Sequence, residues 1–170
     1  RHFVKRAKSP FEILIRLNQD LEGRMRRDMF ITLFLAFIDT EKNTLTYSRA
    51  GHEPGLLLSS TTKGKIKVET LRGEGMALGM VPNELYEQVV SDQTCSFEPG
   101  DALVLYTDGI TETMNSNEEE YSIDRLVAKL ESLGEKSMNA FHEDLLGDLT
   151  VFANELIERD DLTIISMRRT

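Results

Sequence analysis

Three aspartates in two separate stretches carry the chemistry that this sequence could perform. One stretch is "ALVLYTDGITET" (102–113), where a run of strand-forming apolar residues stops at Asp108-Gly109. The other is "ERDDLTIISM" (158–167), where Asp160 and Asp161 stand just ahead of a second apolar run. One carboxylate thus closes a predicted strand and two others open one. In an antiparallel pair the end of one strand lies beside the start of its neighbour. Neighbouring strands at 102–107 and 162–167 would therefore gather the carboxylates at one edge of a sheet. Close carboxylates without a counter-charge repel, and one of them must then keep its proton. A hard divalent cation such as Mg²⁺ or Mn²⁺ removes the conflict, because it prefers carboxylate and water oxygens. Plainer readings stand beside this one. Asp-Gly is a common turn dipeptide, and Asp160 or Asp161 can cap or end a helix.

The elements that must hold these residues are legible from pattern. "SPFE" (9–12) is a helix start, with Ser9 as N-cap, Pro10 at the first helical position and Glu12 closing a capping box. Leu14, Leu17, Leu21 and Met25 follow at helical spacing, and Gly23 marks the end. "MFITLFLAFID" (29–39) reads as a strand apolar on both faces, central in its sheet. "DTEKN" (39–43) and "TTKGK" (61–65) read as hairpin turns, and "RGEGMALGM" (72–80) as a glycine-rich loop. Tyr86 to Phe97 is strand-like, "EPGD" (98–101) a turn. Ile123, Leu126, Val127, Leu130 and Leu133 predict a helix stopped by Gly134. Another begins near Ser137 and carries Phe141, Leu145, Leu149, Phe152 and Leu156. Hairpins dominate, so the class is α+β, with largely antiparallel sheets layered under outer helices.

Length and charge narrow the functions. A chain of 170 residues fits one domain with a real core. No apolar run approaches the roughly 20 residues of a membrane span, and the first residues lack a signal-peptide core. The single cysteine, Cys95, excludes an internal disulfide and a multi-cysteine zinc site, so a reducing cytoplasm is the default compartment. Residues 1–27 carry eight Lys and Arg against three Asp and Glu, within a formal net charge of −9. The acidic remainder argues against nucleic acid, which needs Lys and Arg to replace its counterions. It also repels a phosphorylated substrate unless bound cations reverse the local sign.

"MFITLFLAFID", "YSRAGHEPGLLL", "ALGM", "EPGDALVLYTDGITE" and "DDLTIISMRR", in that order, resemble the SpoIIE-type bacterial serine phosphatases of the metal-dependent type-2C (PPM) superfamily. The resemblance runs from about Ser9 to Arg169 and implies an αββα sandwich. It also implies a Mn²⁺- or Mg²⁺-dependent hydrolase of phosphoserine and phosphothreonine, with two metal ions in an intact domain. Asp108 of the "TDG" motif and Asp160, the first aspartate of "DD.T", match the family's metal ligands, and Asp161 takes a supporting place beside them. Two ions about 4 Å apart can activate a water and offset phosphoryl charge, so no covalent phosphoenzyme is expected and Cys95 is expected to pack rather than react. The implied substrate is a phosphorylated STAS-type anti-anti-sigma protein in a partner-switching pathway.

The sequence departs from the family at its start. Members carry an upstream Gly-Asp strand and then an Asp-x-x-Gly-His-Gly motif, which these residues lack. The expectation is a single phosphatase domain over 1–170 without its N-terminal strands and first metal motifs, inactive by itself. A catalytically silent interaction domain on the same scaffold is the alternative, and an exposed sheet edge makes a homodimer an open option. Other polar residues invite smaller roles. His52 is expected to shape its loop, Gly75 and Gly79 to form either a flap or a tight turn, and Glu112 to be solvated. Glu118, Glu119 and Glu120 suit the start of a helix, and His2 and His142 have no partner legible in sequence.

Overall fold

The computed structural model describes residues 7–26, 28–61, 64–133, 138–154 and 162–170. Its elements fall into two compact units, Arg1–Pro54 with Arg72–Glu98, and Gly55–Leu71 with Pro99–Thr170.

The first unit contains α1 (Pro10–Leu21), β1 (Leu33–Asp39), β2 (Thr44–Ala50), α2 (Asn83–Val89) and β5 (Gln93–Ser96). The three strands form an antiparallel sheet in the order β1-β2-β5. Ser9 caps α1 as its sequence suggests, its hydroxyl accepting the Glu12 N–H at 3.4 Å. The Glu12 carboxylate returns one residue earlier than a capping box requires, to the Lys8 N–H. A second cap comes from far along the chain, where Asp92 Oδ1 accepts the Phe11 N–H at 2.8 Å and sits 2.8 Å from the Ser48 hydroxyl. Gly23, at φ +71°, ends the helix in the left-handed region that glycine tolerates. Leu14 of α1, Ala50, Leu78, Tyr86 and Val90 form the core on this sheet.

The second unit contains β3 (Gly55–Ser60), β4 (Ile66–Leu71), β6 (Ala102–Tyr106), α3 (Asp108–Thr111), α4 (Ser122–Ser132), α5 (Met138–Phe152) and β7 (Ile164–Arg168). Its sheet runs β4-β3-β6-β7, antiparallel throughout. Leu56, Leu58, Val104 and Tyr106 project from the sheet into one core with Leu126 and Leu130 of α4 and Phe141, Leu145 and Leu149 of α5. Both helices therefore bury the stripe that their spacing predicts. No described helix is long and apolar enough to cross a membrane.

Four expectations need correction. The run 29–39 enters a strand only at Leu33 and lies at the edge of the described sheet, with Phe34 the one buried residue of that strand; alternating Leu45 and Tyr47 put β2 at the centre. Residues 86–97 are not one strand: Asn83–Val89 is helical after Pro82, and only Gln93–Ser96 is extended. Asp108-Gly109 opens the short helix α3 instead of turning a hairpin. The last strand is an edge in the described sheet rather than a buried strand, and Ile165 and Met167 are exposed. Gly134, Ser137 and Leu156 lie outside the described residues.

Candidate metal corner at the end of β6

β6 and β7 are antiparallel neighbours, with Tyr106 opposite Ile164. The end of β6 therefore lies beside the start of β7, as the two acidic stretches require. Asp160 and Asp161 lie outside the described residues; they precede Thr163 in sequence by three and two positions. Asp108 is described fully. It occupies the first turn of α3, exposed, and its Oδ1 accepts the Gly109 N–H at 2.9 Å. Its carbonyl accepts the Glu112 N–H at 2.8 Å and the Thr111 hydroxyl at 3.1 Å. The carboxylate has no ion pair among the described residues.

The corner is anchored from beneath. Ile110, 1% exposed, drops from α3 into the core shared with α4 and α5. The Thr113 hydroxyl donates to the Gly109 carbonyl at 2.7 Å, and the Tyr121 N–H donates to the Thr113 carbonyl at 2.8 Å. Tyr121 then donates its phenol to Asp148 of α5 at 2.6 Å, and Lys129 of α4 reaches the other oxygen of that carboxylate at 2.9 Å. Burial pushes the Asp148 carboxyl up, but the Tyr121 and Lys129 bonds outweigh it and hold the group below its ordinary value. Burial, reinforced by Asp148, raises the Tyr121 phenol.

An exposed carboxylate with no cationic partner among the described residues, beside the strand toward which two further aspartates lead, suits a hard cation as one ligand of several. Among the described residues no three His, Cys, Asp or Glu side chains gather to complete a cage. Glu112 is exposed and so are Glu118, Glu119 and Glu120. His52 shapes its loop: its carbonyl takes two N–H groups from Arg49, and its Nδ1 lies 3.1 Å from the Glu53 carbonyl. His2 lies outside the described residues, whereas His142 Nε2 sits 2.8 Å from the Ser166 hydroxyl. Cys95 is half-buried on β5 rather than sealed in a core.

The loop at 72–80 is held at several points. Arg49 donates to the Gly73 carbonyl, Tyr47 donates to that of Arg72, and Ile31 and Leu78 exchange two main-chain bonds. A methyl group on Gly75 would collide with the Arg49 carbonyl, so only glycine permits this approach.

The sequence model of Stage II sporulation protein E (SpoIIE) matches residues 1–170. The chain belongs to the SpoIIE family. Phosphoserine phosphatase RsbU of Bacillus subtilis (strain 168) is 31% identical over 163 residues, covering 94% of this chain and 45% of RsbU. This SpoIIE-family chain spans 23% and 45% of the length of the curated relatives it matches. The SiaA-PP2C domain of Pseudomonas aeruginosa superposes with a TM-score of 0.78 at 21% identity, over 99% of this chain and 65% of that one. The Mn-presoaked SpoIIE phosphatase domain of Bacillus subtilis matches with a TM-score of 0.62 at 16% identity, over 99% and 70%. Those likenesses establish the PP2C phosphatase fold for the SpoIIE-family chain.

Proposed function

We propose that the chain forms part of the catalytic domain of a metal-dependent protein serine/threonine phosphatase, with Asp108 and Asp160 as metal ligands and Asp161 in support. The observation that carries the reading is the antiparallel pairing of β6 with β7, Tyr106 against Ile164. It supports a corner to which carboxylates from distant parts of the chain contribute. Mn²⁺ or Mg²⁺ bound there, two ions in the complete site, would supply an activated water and positive charge against the phosphoryl oxygens. The chain's own groups do the rest. Asp108 offers exposed carboxylate oxygens on a helix turn anchored by Ile110, so the ligand is presented without a flexible loop.

The formal charge of −9 supports metal dependence as well. An acidic chain repels a phosphorylated protein until cations reverse the sign at the site. The substrate class in this proposal is a phosphorylated STAS-type anti-anti-sigma protein. It rests on the family and on RsbU, a phosphoserine phosphatase by name. In the full-length protein, Asp108→Asn and Asp160→Asn should each lower Mn²⁺-dependent release of phosphate from a phosphoserine STAS protein by about 100-fold or more. That exceeds the 10–100-fold typical of groups one step removed from a metal. Wild-type rates in either variant would refute the assignment.

A further inference from the structure

The β6–β7 ladder does not simply stop at Tyr106 and Ile164; its next rung is altered. In a regular antiparallel sheet Thr107 and Thr163, the next opposed residues, would exchange two main-chain bonds. One is made, from the Thr107 N–H to the Thr163 carbonyl at 3.1 Å. The other cannot be, because the Thr107 carbonyl has turned away to accept the Ile110 N–H at 3.1 Å and start α3. The Thr107 hydroxyl takes its place, and the Thr163 N–H donates to Thr107 Oγ1 at 3.0 Å. Thr107 is still extended, at φ −94° and ψ 158°. One residue thus serves two elements: its main chain ends a strand and begins a helix, while its side chain keeps the departing strand in register.

We infer that the Thr107 hydroxyl is a positioning group for the metal corner, tying the start of β7 at Thr163 to the strand end that carries Asp108. The inference rests on the metal reading proposed above and adds to it a residue that binds no metal. A side chain here needs an acceptor one bond beyond Cβ, which Thr and Ser have. Valine keeps the shape and the strand preference but strips the acceptor. Thr163 is exposed, so its released N–H finds water and the fold loses little. What is lost is the tie between Thr163 and the residue that precedes Asp108. Groups that hold metal ligands in place typically carry 10–100-fold in metal affinity.

The test uses the full-length protein as wild type, Thr107→Val, Thr107→Ser and Asp108→Asn. Free Mn²⁺ is followed by electron paramagnetic resonance, and amide exchange is followed at the peptide containing Thr163. Thr107→Val should exchange faster at Thr163 and bind Mn²⁺ about 10-fold more weakly or worse, with a nearly unchanged melting temperature. Thr107→Ser should restore both properties. Unchanged Mn²⁺ affinity in Thr107→Val, with Asp108→Asn impaired, overturns the role given to Thr107. Unchanged affinity in Asp108→Asn overturns the metal reading itself. If Thr107→Val does not fold, Thr107→Ala carries the same readouts, and wild-type affinity in it overturns the inference equally.

Discussion

Asn18 is 1% exposed in the middle of an apolar helix face, and every polar atom of its amide is used. Its Oδ1 accepts the Gly79 N–H at 2.9 Å, and its Nδ2 lies 3.2 Å from the Val81 carbonyl and 3.3 Å from Asn83 Oδ1. One side chain on α1 thereby ties down the end of the 72–80 loop and the start of α2. Replacing it with leucine keeps the volume but leaves the Gly79 N–H and the Val81 carbonyl without their partner, at about 1–3 kcal/mol for such a group. Asn18→Leu should lower the urea midpoint accordingly with an unchanged denaturant slope; equal midpoints would mean that water replaces the amide. At this scale the sequence is uneven. Asp108 announces itself, since a carboxylate that ends an apolar strand is an odd residue in an odd place. Asn18 is also readable in retrospect, as the polar residue four positions after Leu14 in a stripe that should be apolar. Thr107 and Asp92 are not, because their roles depend on where a distant main-chain N–H falls, and spacing says nothing about that.

Between elements, α4 and α5 are joined by the Asp148 carboxylate, which holds both Tyr121 and Lys129. Because the folded state holds this carboxyl below its ordinary value of 3.8, folding favours the ionised form. The stabilisation is therefore complete above that value and disappears as pH falls through the lower, folded-state one. With the Asp148 side chain 38% exposed, solvent screening keeps the effect modest. Asp148→Asn should melt below wild type at pH 7, and the gap should narrow steadily below about pH 4; a gap constant from pH 7 to pH 2 would exclude the carboxylate as its source. These two helices were legible because 11 and 15 residues allow several turns of an apolar stripe to repeat. α2 was not, because seven residues give too few repeats and its Tyr86 and Val89 favour extended backbone by type. The pairing of β6 with β7, posed from the acidic stretches as a condition, is met. The edge position of β1 was missed, since an apolar run records residue type and not how many neighbours the strand finds.

At the scale of the whole chain, two opposed tendencies govern its behaviour in solution. β7 is the edge of the described four-stranded sheet, and its outward residues are apolar, with Ile165 60% and Met167 41% exposed. An edge strand with apolar side chains is a template for pairing with another chain. Against this stands the net charge of −9, which makes two copies repel over the distance that salt leaves unscreened. That distance shrinks from about 30 Å at 0.01 M salt to about 3 Å at 1 M, while the attraction between apolar strips does not weaken. Self-association of this chain should therefore rise with salt, the reverse of an assembly held by ion pairs. Sedimentation equilibrium at those two salt concentrations should give a larger weight-average mass at the higher one. Ile165→Lys, which places a charge on the edge without touching the inward-facing Ile164 or the Ser166–His142 contact, should hold the mass constant. A monomer at both salt concentrations would mean that the β7 edge of the described sheet attracts no second copy.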